Sequence, residues 1–266
     1  MVSSDFETKV SLTVAECHFD RGLAPALAAV AAGELAAVRV AGVCDPAVSG
    51  QIAGHLTELK YKSSYRNFPH METVGMSFFE AVTPQKEELY FSTAHDVMQE
   101  LRNIWTPHAL PTDVVRTVLD ETWPAGLTTL RHPTGKTMRP CLARTINHGT
   151  ELRPHVDRCD WYSHASFAEP YAQLSGNIYL SVGDEGGELV IWNARPDRAS
   201  DPIVCECSVD TERLGEPIFT LAPRIGEMIV VNSQLVHAVK KVRGLRSTLS
   251  FFLVLETKDG PLRMYH

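Results

Sequence analysis

Two polar side chains on one short predicted strand could bind a metal ion. In the segment LRPHVD, a single valine separates His155 from Asp157. Side chains two positions apart on a strand point to the same face, so an imidazole and a carboxylate would project together. The spacing alone is weak evidence, because His18 and Asp20 repeat it in a stretch with no other sign of a site. A further ligand must come from another part of the chain.

His237 is the best candidate for that third ligand. It interrupts an otherwise apolar predicted strand that follows a turn, in the segment NSQLVHAVK. Two histidines and one carboxylate occupy one face of an iron ion and leave the other face open, as in non-haem Fe(II) oxygenases. With this third residue, the pattern favours a metal site over a solvated surface strand.

An arginine and a threonine follow His237 on the last long predicted strand. Arg246 and Thr248 are two positions apart and therefore face the same side. A guanidinium that points into a β-sandwich core is costly unless an anion meets it. A dicarboxylate cosubstrate would be such a partner: its far carboxylate would bind the arginine and the threonine hydroxyl, while its keto-acid end chelates iron.

The order of these residues resembles that of the iron(II)/2-oxoglutarate-dependent dioxygenases. The matching features are H-x-D at 155–157, the distal His237, R-x-T at 246–248 and the segment DEGGELVIW at 184–192. The similarity is closest to the freestanding small-molecule branch, which includes the carbon-bound halogenases of indole alkaloids and of free amino acids. It extends over most of the chain and is strongest from Met138 onward.

This resemblance implies an Fe(II) site and a 2-oxoglutarate site, with O2 as the second cosubstrate. The residues implied are the triad His155, Asp157 and His237 for the metal, and the pair Arg246 and Thr248 for 2-oxoglutarate. Halogenases of this branch carry Gly or Ala in place of the carboxylate ligand, which opens a coordination position for chloride. Because Asp157 occupies that place here, the family pattern implies a hydroxylase that releases succinate and CO2.

The expected substrate is a free small molecule with an unactivated C–H bond. A free amino acid, with lysine as the first to test, leads; an alkaloid-like or nucleotide metabolite follows. Desaturation, epimerisation and ring closure are alternative outcomes, since all begin with hydrogen abstraction. A non-catalytic jelly-roll protein with a structural metal is another alternative, although a closed structural site needs a fourth ligand. The candidate substrate residues are Trp161, Tyr162, Arg66, Glu80, Arg144, Asp160 and Tyr265.

The first half of the chain is predicted to be mainly helical. The Ala-rich segment at 23–32 stops at Gly33, as expected of a helix C-terminus. The segment ELAAVRVAGV then predicts a strand, and Asp45 with Pro46 supplies an N-cap and a first-turn proline for the next helix. Residues 1–137 are therefore expected to form helical support with a few strands.

From Met138 onward the pattern changes to short β-rich runs separated by Gly, Pro, Asp and Asn. About eight such runs predict a jelly roll, the double-stranded β-helix, over 138–256. Residues 257–266 would form a tail. The predicted fold class is thus α+β, with one domain over 1–266 in which helices buttress the jelly roll.

Composition limits the possible partners. The formal net charge is -7 and no run rich in Lys and Arg occurs, which argues against a nucleic-acid surface. Neither a signal-peptide pattern nor an apolar run of transmembrane length is present in the sequence. The six cysteines lack C-x-x-C spacing, and even the alternating Cys205 and Cys207 are expected to be ordinary reduced thiols. These features predict a cytoplasmic protein with a small-molecule partner; they do not predict its oligomeric state.

Overall fold

Two β-sheets packed against each other form the centre of the computed structural model, which describes residues 12–162, 164–196, 209 and 214–266. The strands are β1 (Thr13–His18), β2 (Leu35–Ala41), β3 (Lys62–Tyr65), β4 (Phe68–Val74), β5 (Leu127–Thr129), β6 (Leu142–Ile146), β7 (Leu152–His155), β8 (Ala172–Ser181), β9 (Glu185–Gly186), β10 (Leu189–Ile191), β11 (Phe219–Leu221), β12 (Met228–Asn232), β13 (His237–Val239), β14 (Val242–Arg243), β15 (Arg246–Leu255) and β16 (Leu262–Tyr265). The helices are α1 (Leu23–Ala31), α2 (Pro46–His55), α3 (Pro84–Trp105) and α4 (Pro111–Thr122).

The larger sheet has ten strands, in the order β1-β2-β12-β8-β15-β6-β4-β3, with β16 paired to β15 and β5 paired to β16. The smaller sheet has the order β11-β10-β13-β7, and β14 pairs with β9 as a separate ribbon. Side chains of both sheets share one buried cluster, in which Leu189 and Ile191 of the small sheet meet Tyr179 and Ile229 of the large one. This two-sheet arrangement with flanking helices confirms the predicted α+β jelly-roll core.

Alternation along the two central strands separates an apolar face from a polar face. On β15, Leu249, Phe251 and Leu253 belong to the core cluster that also contains the buried faces of the helices. The intervening Thr248 and Ser250 are buried on the opposite face, towards the small sheet. The helices therefore cover one side of the large sheet, and the space between the sheets contains polar side chains of β15 as well as the shared apolar cluster.

The helices begin where the sequence indicates. Proline occupies the first turn of α2, α3 and α4, where its missing N–H is not needed. The Asp45 carboxylate caps α2 by accepting hydrogen bonds from the amides of Ala47, at 2.7 Å, and Val48, at 3.2 Å. These caps fix the helices that support the sheet from its apolar side.

Both ends of the chain contribute more sheet than the sequence suggests. The described part of 1–137 contains five strands, and all of them join the large sheet. The segment 257–266, expected to be a tail, contains β16, which pairs antiparallel with β15 through Phe252 and Tyr265. Isolated strand propensity misses such a pairing, because edge residues gain their stability from the strand beside them.

The state of the cysteines and the hydropathy of the helices can be compared with what the composition predicts. The described cysteines Cys17, Cys44, Cys141 and Cys159 are free thiols, whereas Cys205 and Cys207 lie outside the described residues. Among the helices that the structure describes, none combines the length and the apolarity needed to cross a membrane.

Candidate metal centre

The two histidines of the predicted triad lie opposite each other on the small sheet. His155 ends β7 and His237 begins β13, and the two residues are direct partners in this antiparallel pair. Asp157 follows the end of β7, where its amide donates a hydrogen bond to the carbonyl of Ser233 at 2.9 Å. The Ser233 hydroxyl donates in return to the Asp157 carbonyl at 3.0 Å, so the backbone that carries the carboxylate is held from both sides.

The three side chains converge on one point. Asp157 Oδ2 lies 3.3 Å from His237 Nε2 and 4.0 Å from His155 Nε2. The centroids of the two imidazole rings are 4.4 Å apart. The Asp157 side chain keeps an exposed fraction of 28%, so the point of convergence is reachable from solvent.

Backbone hydrogen bonds set the tautomer of both histidines. The Nδ1 atom of His155 donates to the Arg153 carbonyl at 2.7 Å, and that of His237 donates to the Leu235 carbonyl at 2.9 Å. A carbonyl only accepts, so each Nδ1 must carry the proton and each Nε2 presents its lone pair towards Asp157. Metal-binding histidines generally donate the N–H of their other ring nitrogen to a hydrogen-bond acceptor in this way.

Electrostatics favour the metal-binding protonation states of His155 and Asp157. Burial and the neighbouring His237 lower the pKa of His155 to about 4, so its ring is neutral at physiological pH. Burial alone would raise the pKa of Asp157, but the adjoining imidazoles of His237 and His155 and the charge of Arg144 bring it below its usual range. A neutral His155 imidazole and an ionised Asp157 carboxylate are therefore available as ligands, and His237 Nε2 lies beside them.

The donor set fits a divalent metal with an open side. The three ligand atoms lie within 4.8 Å of one another, and no other such group of three His, Cys, Asp or Glu side chains occurs in the described parts of the chain. An ion held at about 2 Å from each ligand keeps those ligands about 3–4 Å apart. Two nitrogens and one carboxylate oxygen match the ligands that suit Fe(II).

Arg246 is a buried cation without an acidic partner among the described residues. Its side chain is 1% exposed, its Nη2 donates to the Tyr179 hydroxyl at 3.2 Å, and its guanidinium lies 4.9 Å from the centre of the Tyr179 ring. The Nε and Nη1 atoms are buried and have no hydrogen-bond partner. Burial lowers the pKa of this arginine, and an anion bound here would offset the cost of burying its positive charge. The carboxylate of 2-oxoglutarate fits this requirement.

A glycine makes room for the arginine. Gly187, in the turn between β9 and β10, has a φ of +75°, and a Cβ atom placed on it would lie 3.3 Å from Arg246 Cδ. A larger side chain would strain the turn and press on the arginine stem. Gly187 thus leaves room for the stem of Arg246, whereas Gly186 leaves room for the Lys241 carbonyl just before β14.

Thr248 belongs to a polar row that the sequence did not reveal. Ser250 donates to Asn177 Oδ1 at 2.7 Å and lies 3.0 Å from the Thr248 hydroxyl, so Thr248 must be the donor in their hydrogen bond. Arg144 Nη2 donates to the same Asn177 oxygen at 2.9 Å. Thr248 would have to turn its proton away from Ser250 to bind a carboxylate, whereas Arg246 already has two unpartnered nitrogens. The sequence signal for Asn177 and Ser250 is the alternation of polar and apolar residues along two buried strands.

Aromatic side chains border the polar row. The hydroxyls of Tyr162 and Tyr265 are 3.5 Å apart, and the Tyr162 ring lies 5.9 Å from that of Phe78 and 6.0 Å from that of Phe79. Burial is the main cause that raises the pKa of Tyr265, and the charge of Asp157 adds to it, so this tyrosine is within electrostatic reach of the triad. A pocket between these rings would bury an apolar substrate stem.

Two other predicted substrate residues turn away from this pocket. Trp161 packs with Val156 and Val236 in a separate cluster, and the Arg158 guanidinium lies 5.1 Å from the centre of its ring. Asp160 accepts two hydrogen bonds from the same arginine, at 3.1 Å and 2.9 Å. Both side chains therefore contact Arg158.

Glu80 and Arg66 are the remaining predicted substrate residues, besides Arg144. Glu80 is buried at the end of the turn that carries Phe78, and its Oε2 atom lies 4.0 Å from Lys86 Nζ. Arg66 is exposed in the turn between β3 and β4. Arg144, by contrast, is joined through Asn177 to the polar row beside Arg246.

Comparisons with known proteins identify a family and a similar fold. The family model described as "Carrier-protein-independent halogenase WelO5" matches residues 12–260. A comparison with curated protein sequences found no match. The fold is similar to the crystal structure of an N-substituted L-amino acid dioxygenase from Burkholderia ambifaria AMMD, with a TM-score of 0.63, 20% identity, and coverage of 92% of this chain and 91% of the other. The same dioxygenase in complex with alpha-KG gives a TM-score of 0.61 at 20% identity and the same coverage.

Proposed function

This chain belongs to the family of the carrier-protein-independent halogenase WelO5, within the iron(II)/2-oxoglutarate-dependent oxygenases, and we propose that it is a hydroxylase rather than a halogenase. The observation that carries the proposal is the carboxylate of Asp157, which points at both histidine Nε2 atoms, at 3.3 Å and 4.0 Å. A third protein ligand fills the position that a halide would otherwise occupy.

The roles of the residues follow from their contacts. Fe(II) and 2-oxoglutarate supply, with O2, the oxidising chemistry that breaks a substrate C–H bond. His155 and His237 present Nε2 lone pairs because their Nδ1 protons are bound to backbone carbonyls. Asp157 supplies the negative charge, and Arg246 holds the far carboxylate of the cosubstrate through its unpartnered nitrogens.

A free amino acid is the leading substrate class, with lysine as the first to test. The polar row that contains Arg144 provides a charged border, and the aromatic wall, formed by Phe78, Phe79, Tyr162 and Tyr265, provides an apolar one. This combination suits a small molecule with a carboxylate and a hydrocarbon stem. The crystallised dioxygenase of similar fold is named for N-substituted L-amino acids, which supports the same class. Tyr162 and Tyr265 are the wall residues that we expect to contact the stem.

Succinate release should depend on iron, O2 and 2-oxoglutarate and should rise when a substrate is added. Purified protein is incubated with L-lysine and then with the other free amino acids, and succinate is quantified by chromatography. Chelator treatment should abolish the substrate-dependent part, and Fe(II), but not Zn(II), should restore it, because Zn(II) cannot change its redox state. Substrate-coupled turnover that survives complete metal removal would contradict the proposal.

A further inference from the structure

Arg144 is a second arginine at the site, and it forms no ion pair with an acid among the described residues. It lies on β6 and is the cross-strand partner of Thr248 on β15 and of Thr73 on β4. Its Nη2 donates a hydrogen bond to Asn177 Oδ1 at 2.9 Å, and its Nε is buried and has no hydrogen-bond partner among the described residues. A charged group in this position is costly unless an anion accepts its free N–H groups.

The charge of Arg144 acts on the whole site. Burial is the main cause that lowers the pKa of Arg246 and of His266, and the charge of Arg144 lowers both further. For His155, burial and His237 are the larger causes, and Arg144 adds to them. Arg144 is therefore within electrostatic reach of the triad, of the cosubstrate arginine and of the end of β16.

When the formal charges of the site are added, the positive charge of Arg144 remains without a counter-ion. With neutral histidines, Fe(II) and Asp157 together carry one positive charge, and Arg246 adds a second. The two carboxylates of 2-oxoglutarate offset both. The positive charge of Arg144 then still faces the site without a counter-ion, and neither Asp160 nor Glu80 can serve, because each lies beside its own cation.

We propose that Arg144, oriented by Asn177, binds a carboxylate of the primary substrate and so makes this enzyme selective for carboxylate-bearing small molecules. The inference rests on the proposed function and deepens it. Asn177 acts as a positioning residue: its Oδ1 accepts from Arg144 and from Ser250, which leaves Nε of the guanidinium for the substrate. A guanidinium forms strong charge-assisted hydrogen bonds with a carboxylate.

The carboxylate that Arg144 binds could also be that of the keto-acid end of 2-oxoglutarate. Two probes distinguish the substrate from the cosubstrate. Hexanoate and hexanamide have the same chain and differ in the charged group. Their dissociation constants are measured by calorimetry on protein loaded with Mn(II) and 2-oxoglutarate, together with those of Mn(II) and 2-oxoglutarate themselves. The wild-type protein should bind hexanoate at least about tenfold more tightly than hexanamide.

Two variants and one control complete the test. Arg144→Gln should bring hexanoate binding down to the hexanamide level and leave Mn(II) and 2-oxoglutarate binding within about twofold of wild type. Asn177→Asp keeps the arginine but gives it an internal carboxylate, and should also remove the preference for hexanoate. Arg243→Gln is the matched control, because Arg243 is 68% exposed and paired with Glu185; it should change nothing.

The outcomes distinguish the inference from the proposed function. A preference for hexanoate that persists in Arg144→Gln, or that is absent from the wild-type protein, would overturn the inference. Weakened 2-oxoglutarate binding in that variant would assign Arg144 to the cosubstrate and overturn it as well, while the proposed function stands. A wild-type protein that binds neither Mn(II) nor 2-oxoglutarate would contradict the proposed function itself.

Discussion

Replacing Asp157 by glycine should lower the hydroxylation rate at least about 100-fold, because even residues that only support a metal ligand change affinity or activity by 10- to 100-fold. The variant removes the only carboxylate of the triad and leaves two neutral imidazoles. The rate is measured as product formed per enzyme under saturating Fe(II) and 2-oxoglutarate. Chloride is included in the assay, so that a product carrying chlorine can be recognised by its isotope pattern.

The second H-x-D motif of the chain provides the control for this variant. Asp20 is 60% exposed and contacts His18 at 2.7 Å, and Asp20→Gly should leave the rate unchanged. Folding of Asp157→Gly is checked by thermal unfolding, and we expect little loss, since the hydrogen bonds with Ser233 involve only the backbone of residue 157. Full hydroxylation activity in Asp157→Gly would show that the carboxylate is not a ligand.

Arg246→Ala should weaken 2-oxoglutarate binding by about 10- to 100-fold and leave Fe(II) affinity unchanged. A hydrogen bond to a charged group contributes about 1.5–3 kcal/mol, and the variant removes the two unpartnered donors that we assign to the far carboxylate. Both affinities are measured by anaerobic calorimetric titration. Arg246→Lys should recover only part of the loss, because an ammonium cannot form the planar paired contact.

Arg243→Ala is the matched control for Arg246, since it removes an exposed arginine three positions earlier. Its only described acidic partner is Glu185, at 2.5 Å, and both side chains are largely exposed. The control variant should bind 2-oxoglutarate like the wild type. Equal affinity for 2-oxoglutarate in Arg246→Ala and wild type would mean that the cosubstrate binds elsewhere.

The triad could be predicted because its chemistry is concentrated in a few residue types. His155 with Asp157 is indistinguishable from His18 with Asp20 by spacing alone. The structure distinguishes the two motifs by the strands beside them. Strand β13 brings His237 next to His155, whereas His18 and Asp20 lie at the end of an edge strand. The arginine could be predicted for a related reason, because a charge in an apolar strand demands a partner.

The substrate residues could not be sorted from the sequence, because their directions depend on local turns and on strand register. Trp161 follows the triad closely, but the 3-10 turn at Cys159–Trp161 directs its ring into a separate apolar cluster. Asn177 and Arg144 are 33 positions apart and meet only because β15 lies between their strands. Such contacts depend on which strands are neighbours, and a single sequence does not specify that order.

The mass of the product formed by the wild-type enzyme tests the central claim most directly. Purified protein with Fe(II), 2-oxoglutarate and excess chloride is supplied with isotopically labelled O2 and a pool of amino acids and related carboxylates, and products are analysed by mass spectrometry. A third protein ligand at Asp157 predicts a product that gains one labelled oxygen atom and contains no chlorine. A chlorinated product from the wild-type enzyme would contradict the account.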